Sequence, residues 1–389
     1  MSRSVSSAHP SIDEISFLRL YHHIYKLISR ILHKFCISYF LYTLVFFIQK
    51  NMSNPPRHDE FTFEHHDITP AIDPTKVKLA KPFVICIIGA SSGIGEHISY
   101  AYARAGATGI ILSSRNTTEL ARVASRVREI DETIQVEIVA CDISSSASVK
   151  ALSEKVTSCF GRLDILVPNS GYAGPVTLKV TEGDPAWFQH NFDINTVGTY
   201  HAAHYFIPLL LASENGAKGF LCIGSQASGI LNGPIANTGY CLSKFAQSRL
   251  LEYLGQQFGG EGLFAVNIHP GAVMTPMAAG NTPEEFLPCE FLSVCRRTPS
   301  AQFLVPKLWI RRRRISAQKS PIFADQPATD LVDSIDLCGA FCVWLSKQTQ
   351  ELQWLTGRFI SANWDVDELL AKKALIIEKD LLKWRIALT

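Results

Sequence analysis

Tyr240 and Lys244 stand four residues apart, a spacing that puts both side chains on one face of a helix. A phenol titrates near ~10 in water, and a fixed ammonium beside it stabilises the phenolate, moving the pKa toward the range where proton transfer is efficient. The pair is therefore a candidate proton donor and acceptor. A Tyr-x-x-x-Lys spacing is common by itself, so its meaning depends on what the rest of the chain brings to the phenol.

The pair lies in a helical pattern from Gly239 to Phe258. Far upstream, the apolar run Phe83–Ile88 ends in Gly89-Ala90-Ser91-Ser92-Gly93-Ile94-Gly95, after which the period becomes helical. Strand, glycine turn and helix follow in that order. Glycines let the backbone approach a pyrophosphate closely, and the free N–H groups at a helix start hold its charge, so Gly89, Ser91, Ser92, Gly93, Ile94 and Gly95 are candidate cofactor contacts. A merely tight turn is the bland alternative, and the flanking strand and helix favour the cofactor. Strands are predicted at Gly109–Ser113, Ile134–Ala140, Leu166–Val167, Gly219–Ile223 and Leu263–His269, with helices at Thr117–Glu129, Ser145–Phe160 and Ala186–Ser213. Such alternation predicts an α/β fold, a doubly wound parallel sheet of Rossmann type in a single main domain.

In such sheets ligands sit beyond the carboxyl ends of the strands. The loops there carry Ser114 and Arg115, Asp142, then Asn169-Ser170-Gly171, and after the sixth strand Pro270, Val273 and Thr275. A guanidinium at the second strand suits a 2′-phosphate, where an acid would suit an unmodified ribose, so NADP is expected over NAD. Arg115 as a plain strand-end residue and Asp142 as a helix cap are the competing readings. Asn195 falls in the long helix, where a structural hydrogen-bond network competes with a catalytic role. Ser225 follows the fifth strand, with Ser228 close behind.

Composition sets limits. A formal net charge of +2 over 389 residues gives no reason to expect nucleic acid, and the Arg311–Arg314 run reads as a solvated loop. The ten cysteines form no C-x-x-C or Cys/His cluster, so no metal site or disulfide framework is expected and a reducing, cytoplasmic setting follows. Residues 1–51 differ in composition from the rest. The uncharged run 35–49 is short for a membrane span, which needs roughly 17–25 apolar residues, so it reads as an anchor giving membrane association. Two further readings are a transit segment and a gene-model extension ahead of Met52. Residues 52–80, with four prolines and a His65-His66-Asp67 cluster read as surface, form an extended polar arm ahead of a catalytic domain at 81–389. An insertion at about 281–327 reads equally as a lid or as translated intron.

Taken together these motifs resemble the short-chain dehydrogenase/reductase family from about residue 81 onward. Gly89, Gly93 and Gly95 fit its glycine turn, Asn169-Ser170-Gly171 its Asn-Ala-Gly, and Tyr240 and Lys244 its Tyr-x-x-x-Lys. Asn195, Ser225 and the loop Pro270–Thr275 fit its remaining motifs, and Gly357–Asp365 looks like the last strand of its fungal members, many of which serve secondary metabolism. Ile88 and Pro168 stand where threonine and asparagine are usual. The resemblance implies an NADP(H)-dependent oxidoreductase interconverting a small hydrophobic ketone or aldehyde and its alcohol. It gives Asn195, Ser225, Tyr240 and Lys244 the catalytic roles. Tyr240 protonates the carbonyl oxygen, Ser225 hydrogen-bonds it, Lys244 lowers the phenol pKa and holds the nicotinamide ribose, and Asn195 positions Lys244 through a water. Tyr172, Trp187 and Gln226 are expected to line the substrate pocket. A homo-oligomer paired through the helices of Asn195 and Tyr240 is also implied. The alternative is a cofactor-loaded sensor or a disabled member of the family. An epimerase or dehydratase with the same Tyr/Lys pair fits less well, because its glycine spacing differs.

Overall fold

The computed structural model describes residues 62–232, 236–281 and 332–385. Seven strands make one sheet: β1 (Val84–Ile88), β2 (Gly109–Ser114), β3 (Gln135–Ala140), β4 (Ile165–Pro168), β5 (Gly219–Ile223), β6 (Phe264–His269) and β7 (Phe359–Ser361). Their spatial order is β3-β2-β1-β4-β5-β6-β7, and every neighbouring pair is parallel. The reason is visible in β1. Ile85 and Ile87 point into one core and Val84, Cys86 and Ile88 into the other, each nearly inaccessible to water. A strand buried on both faces needs an unbroken apolar run, and covering both faces needs a helix between successive strands. Fully burying one such side chain stabilises the fold by about 1.5–3 kcal/mol.

The helices are α1 (Gly93–Arg104), α2 (Thr117–Ile130), α3 (Ser146–Phe160), α4 (Pro185–Phe192), α5 (Gly198–Ala212), α6 (Thr238–Phe258), α7 (Pro276–Asn281), α8 (Leu337–Lys347), α9 (Val366–Ala371) and α10 (Lys373–Glu378). Asn116, Ser145, Asp184 and Asp365, at the starts of α2, α3, α4 and α9, each accept a backbone N–H of the first turn. Ser92, at the start of α1, makes no such bond. That terminus keeps its first amides for something other than its own cap.

The helix expected as one piece over 186–213 is instead interrupted. A π-turn, Asp193–Val197, joins α4 to α5, and Gly198 follows it against Ile143, where an added Cβ would meet Cγ2 at 2.9 Å. The last strand is also shorter than expected, three residues at Phe359–Ser361. β4 pairs with β5 only at Ile165–Gly219 and Leu166–Phe220, so the two part beyond Leu166. Pro168, which has no N–H to donate, lies where that ladder has ended.

The polar segment ahead of β1 is tied to the far side of the chain. Glu64 bridges Trp364, His65 pairs with Asp365 at 2.8 Å and His66 with Asp333 at 2.7 Å. No described helix is long and apolar enough to cross a membrane. The run 35–49 and nearly all of the insertion at 281–327 lie outside the described residues.

Candidate active site

Gly89 has φ +95°, and an added Cβ there would meet the Ser170 backbone nitrogen at 2.7 Å. Gly95 has still less room: its Cβ would lie 2.2 Å from the Gly89 carbonyl oxygen and 2.5 Å from the Asn169 side-chain nitrogen. Only glycine fits both positions. The Asn169 Nδ2 donates to the Gly89 carbonyl at 2.8 Å, binding the loop after β4 to the glycine turn. Gly93 has φ +60°, and an added Cβ there would lie 3.5 Å from Cγ2 of Thr275 in the loop after β6. Ser91 and Ile94 are partly exposed beside this cradle, and Ser92 is exposed at the uncapped start of α1. A bare backbone turn leading into unpaired helix amides is the donor set that a dinucleotide pyrophosphate requires, so the residues fit the cofactor.

At the end of β2, Ser114 hydrogen-bonds around the Asn116 backbone, and Arg115 extends into solvent. The N-cap of α2 is Asn116, and that of α3 is Ser145 rather than Asp142. Asp142 accepts the Ser144 backbone and hydroxyl groups at 3.0 and 2.7 Å, closing the turn before α3. Those bonds, with Arg115 adding to them, hold its carboxyl below the ordinary range. The loop Pro270–Thr275 is fixed from outside: Gly271 has φ +94°, and the Asp333 carboxylate accepts the Ala272 N–H at 2.5 Å. Val273 is buried in that loop, and Thr275 accepts the Ala278 N–H at the start of α7.

From the glycine turn a continuous set of contacts leads to the phenol. Gly171 approaches the Asn195 carboxamide, whose Oδ1 accepts the Tyr172 N–H at 2.9 Å while Nδ2 donates to the Tyr172 carbonyl and to Ser243 Oγ. Ser243 precedes Lys244 on α6. The Lys244 ammonium is buried and lies 6.0 Å from the Tyr240 ring centroid. It donates to the Ile223 carbonyl at the end of β5 and to Gln247 Oε1, each at 3.0 Å. Burial drops its pKa to about 8. Enclosure of the phenol pushes Tyr240 upward, and a hydrogen bond with Ser225 works against that rise. In the protein alone the lysine is thus committed to Ile223 and Gln247, and the serine rather than the lysine opposes the rise.

The two candidate serines differ in what they touch. Ser225 is the side chain that works against the rise of the Tyr240 pKa and it accepts the Ala227 N–H, whereas Ser228 is buried and donates to the Ser225 carbonyl at 2.8 Å. The Gln247 side chain links Lys244 to Asn195. Its Nε2 donates to the Asn195 carbonyl at 2.9 Å and to Thr199 Oγ1 at 2.8 Å. Sequence reasoning passed over Gln247, although its position three residues after Lys244 on the same helix face was a usable signal. Tyr172 packs edge-on against His190, with ring centroids 4.5 Å apart. Trp187 and Gln226 are exposed.

The family model described as short chain dehydrogenase matches residues 83–285. The chain is 32% identical over 349 residues to short chain dehydrogenase pgmD of Aspergillus terreus, a match spanning 87% of this chain and 98% of that one. Among solved structures it resembles a 3-ketoacyl-(acyl-carrier-protein) reductase from Brucella melitensis complexed with NADH, with TM-score 0.53 and 22% identity over 72% of this chain and 96% of that one. It also resembles the Pseudomonas aeruginosa RhlG/NADP active-site complex, with TM-score 0.55 and 20% identity over 76% and 97%.

Proposed function

The chain belongs to the short-chain dehydrogenase family, oxidoreductases of CH–OH groups that use a nicotinamide dinucleotide, and from that premise we propose that it interconverts a small hydrophobic ketone or aldehyde and its alcohol with NADP(H). The observation that carries this reading is the junction of Ser225, Tyr240 and Lys244 beside the loop that closes the glycine turn. The cofactor, when bound, supplies the hydride.

The chain's own residues supply everything else. The bare turn Gly89–Gly95 and the first amides of α1 hold the pyrophosphate. Asn169, Ser170 and Gly171, with Pro270, Val273 and Thr275, close over the cofactor from the two flanking loops. Ser114 and Arg115 favour NADP, because an exposed guanidinium at the end of β2 is free to form paired bonds with a 2′-phosphate. Asp142 sits at the adenine end.

At the reacting end, Ser225 orients the carbonyl oxygen and Tyr240 gives it a proton. With its pKa raised by enclosure, the phenol stays protonated across neutral pH, the state a proton donor needs. Lys244 steadies the charge that develops on the phenol as the proton leaves, and Asn195 anchors both the Tyr172 loop and the helix that carries Lys244.

The substrate is proposed as a secondary metabolite or a similar apolar carbonyl, a class suggested by the resemblance of Gly357–Asp365 to the last strand of fungal members of the family and by the aromatic side chains of Tyr172 and Trp187. A cytoplasmic homo-oligomer is proposed with it, supported by Tyr200, Leu242 and Tyr253, which α5 and α6 leave exposed. The experiment is to add NADPH and a panel of ketones and aldehydes to the purified full-length protein and follow cofactor absorbance. Oxidation with at least one carbonyl is expected. Binding of NADPH with no turnover on any of them would favour the sensor reading instead.

A further inference from the structure

Lys244 is buried with its charge, and a buried ammonium must be surrounded by acceptors or give up its proton. One acceptor is the Ile223 carbonyl and the other is the Gln247 side chain, itself almost wholly buried. The orientation of that carboxamide is not a free choice. The Asn195 carbonyl can only accept, so the group facing it at 2.9 Å must be the NH2. Thr199 Oγ1 donates to the same carbonyl at 2.8 Å and therefore offers a lone pair to the second hydrogen of that NH2. Oε1 is left to face the ammonium. The π-turn brings the Asn195 carbonyl into this arrangement, a local departure of the kind often found at working sites.

We propose that Gln247 is a positioning residue of the reaction: its carboxamide, clamped by the Asn195 carbonyl and Thr199, holds Lys244 in its charged, Tyr240-facing place. This rests on the reading of Tyr240 and Lys244 as the proton-handling pair. A carboxamide does not titrate, so it fixes the lysine without offering its proton an exit toward Asn195. Among the described residues, the titratable groups facing the ammonium are the Tyr240 phenol on its own helix and Cys222 on β5. Burial pushes that thiol up to about 11, so it is neutral near pH 8.

The test is a titration of Lys244 in the full-length protein by NMR of labelled lysine, with Lys244→Met identifying the resonance. Gln247→Met and Gln247→Glu are compared with wild type. A hydrogen bond to a charged group is worth about one to two pH units in the midpoint. Gln247→Met should lower the midpoint by about that much and Gln247→Glu should raise it. The alkaline limb of NADPH-dependent carbonyl reduction should move the same way, with kcat changed more than the KM for the carbonyl. Gln247→Glu is nearly isosteric, so it carries the test if the methionine variant does not fold. Midpoints equal to wild type in the folded variants would overturn the proposal. Failure of the wild-type protein to turn over any carbonyl would count against the functional reading and leave the titration to judge Gln247.

Discussion

At the scale of residues, Lys244 shows how function and stability oppose each other. Burial takes its pKa from 10.5 down to about 8. Between those values the unfolded chain holds a proton that the folded chain has released, so the contribution of this site to stability grows as pH rises from 8 to 10.5. At ~1.4 kcal/mol per unit the rise is about 3 kcal/mol. Denaturant unfolding at several pH values should show it as a difference between wild type and Lys244→Met, and parallel curves for the two proteins would contradict it. Arg115 is judged by its selectivity. Loss of a paired guanidinium–phosphate contact costs about 1.5–3 kcal/mol, so Arg115→Ala should weaken NADPH binding roughly 10- to 100-fold and leave NADH nearly unchanged. Equal losses for both cofactors would remove the 2′-phosphate assignment. Tyr240, Lys244 and the glycines were legible because their chemistry is local in sequence. Gln247 showed only its place three residues after Lys244, because the rest of its meaning lies in partners 48 and 52 residues away.

At the scale of elements, the turn between β1 and α1 leaves no room for a side chain at Gly95. A methyl group at Gly95 would lie inside contact distance of both the Gly89 carbonyl and the Asn169 amide. Gly95→Ala should therefore destabilise the fold by about 1–3 kcal/mol and weaken NADPH binding as Asn169 is displaced. Thermal unfolding and cofactor titration check the two halves of that expectation, and an unchanged protein would mean the turn is looser than described. Alternating apolar runs and glycine turns foretold the first six strands and their parallel sense, because strands such as β1, buried on both faces, leave no room for charge. The same signals missed the π-turn at Asp193–Val197. Its helical period continues on either side, and the cause of the interruption is tertiary: Asn195 is drawn to Tyr172 and Ser243.

At the scale of the whole molecule, the loop after β6 is held by residues distant in sequence. Asp333 accepts the Ala272 N–H and pairs with His66, 267 residues away. Removing the carboxylate leaves a backbone donor unpaired, a loss of about 1–3 kcal/mol, so Asp333→Ala should raise the NADPH dissociation constant about tenfold or more. His66→Ala should do less, since its ring is mostly exposed. Equal affinity for NADPH in wild type and Asp333→Ala would show that the loop does not need this tie. A pairing across that length of chain leaves no mark in local sequence, which explains why the histidines read as mere surface. One phenol, that of Tyr240, carries the proposed chemistry of the whole molecule. With a carbonyl that wild type reduces, Tyr240→Phe should lose turnover by at least about 100-fold while binding NADPH with nearly unchanged affinity. Turnover at the wild-type rate would contradict it.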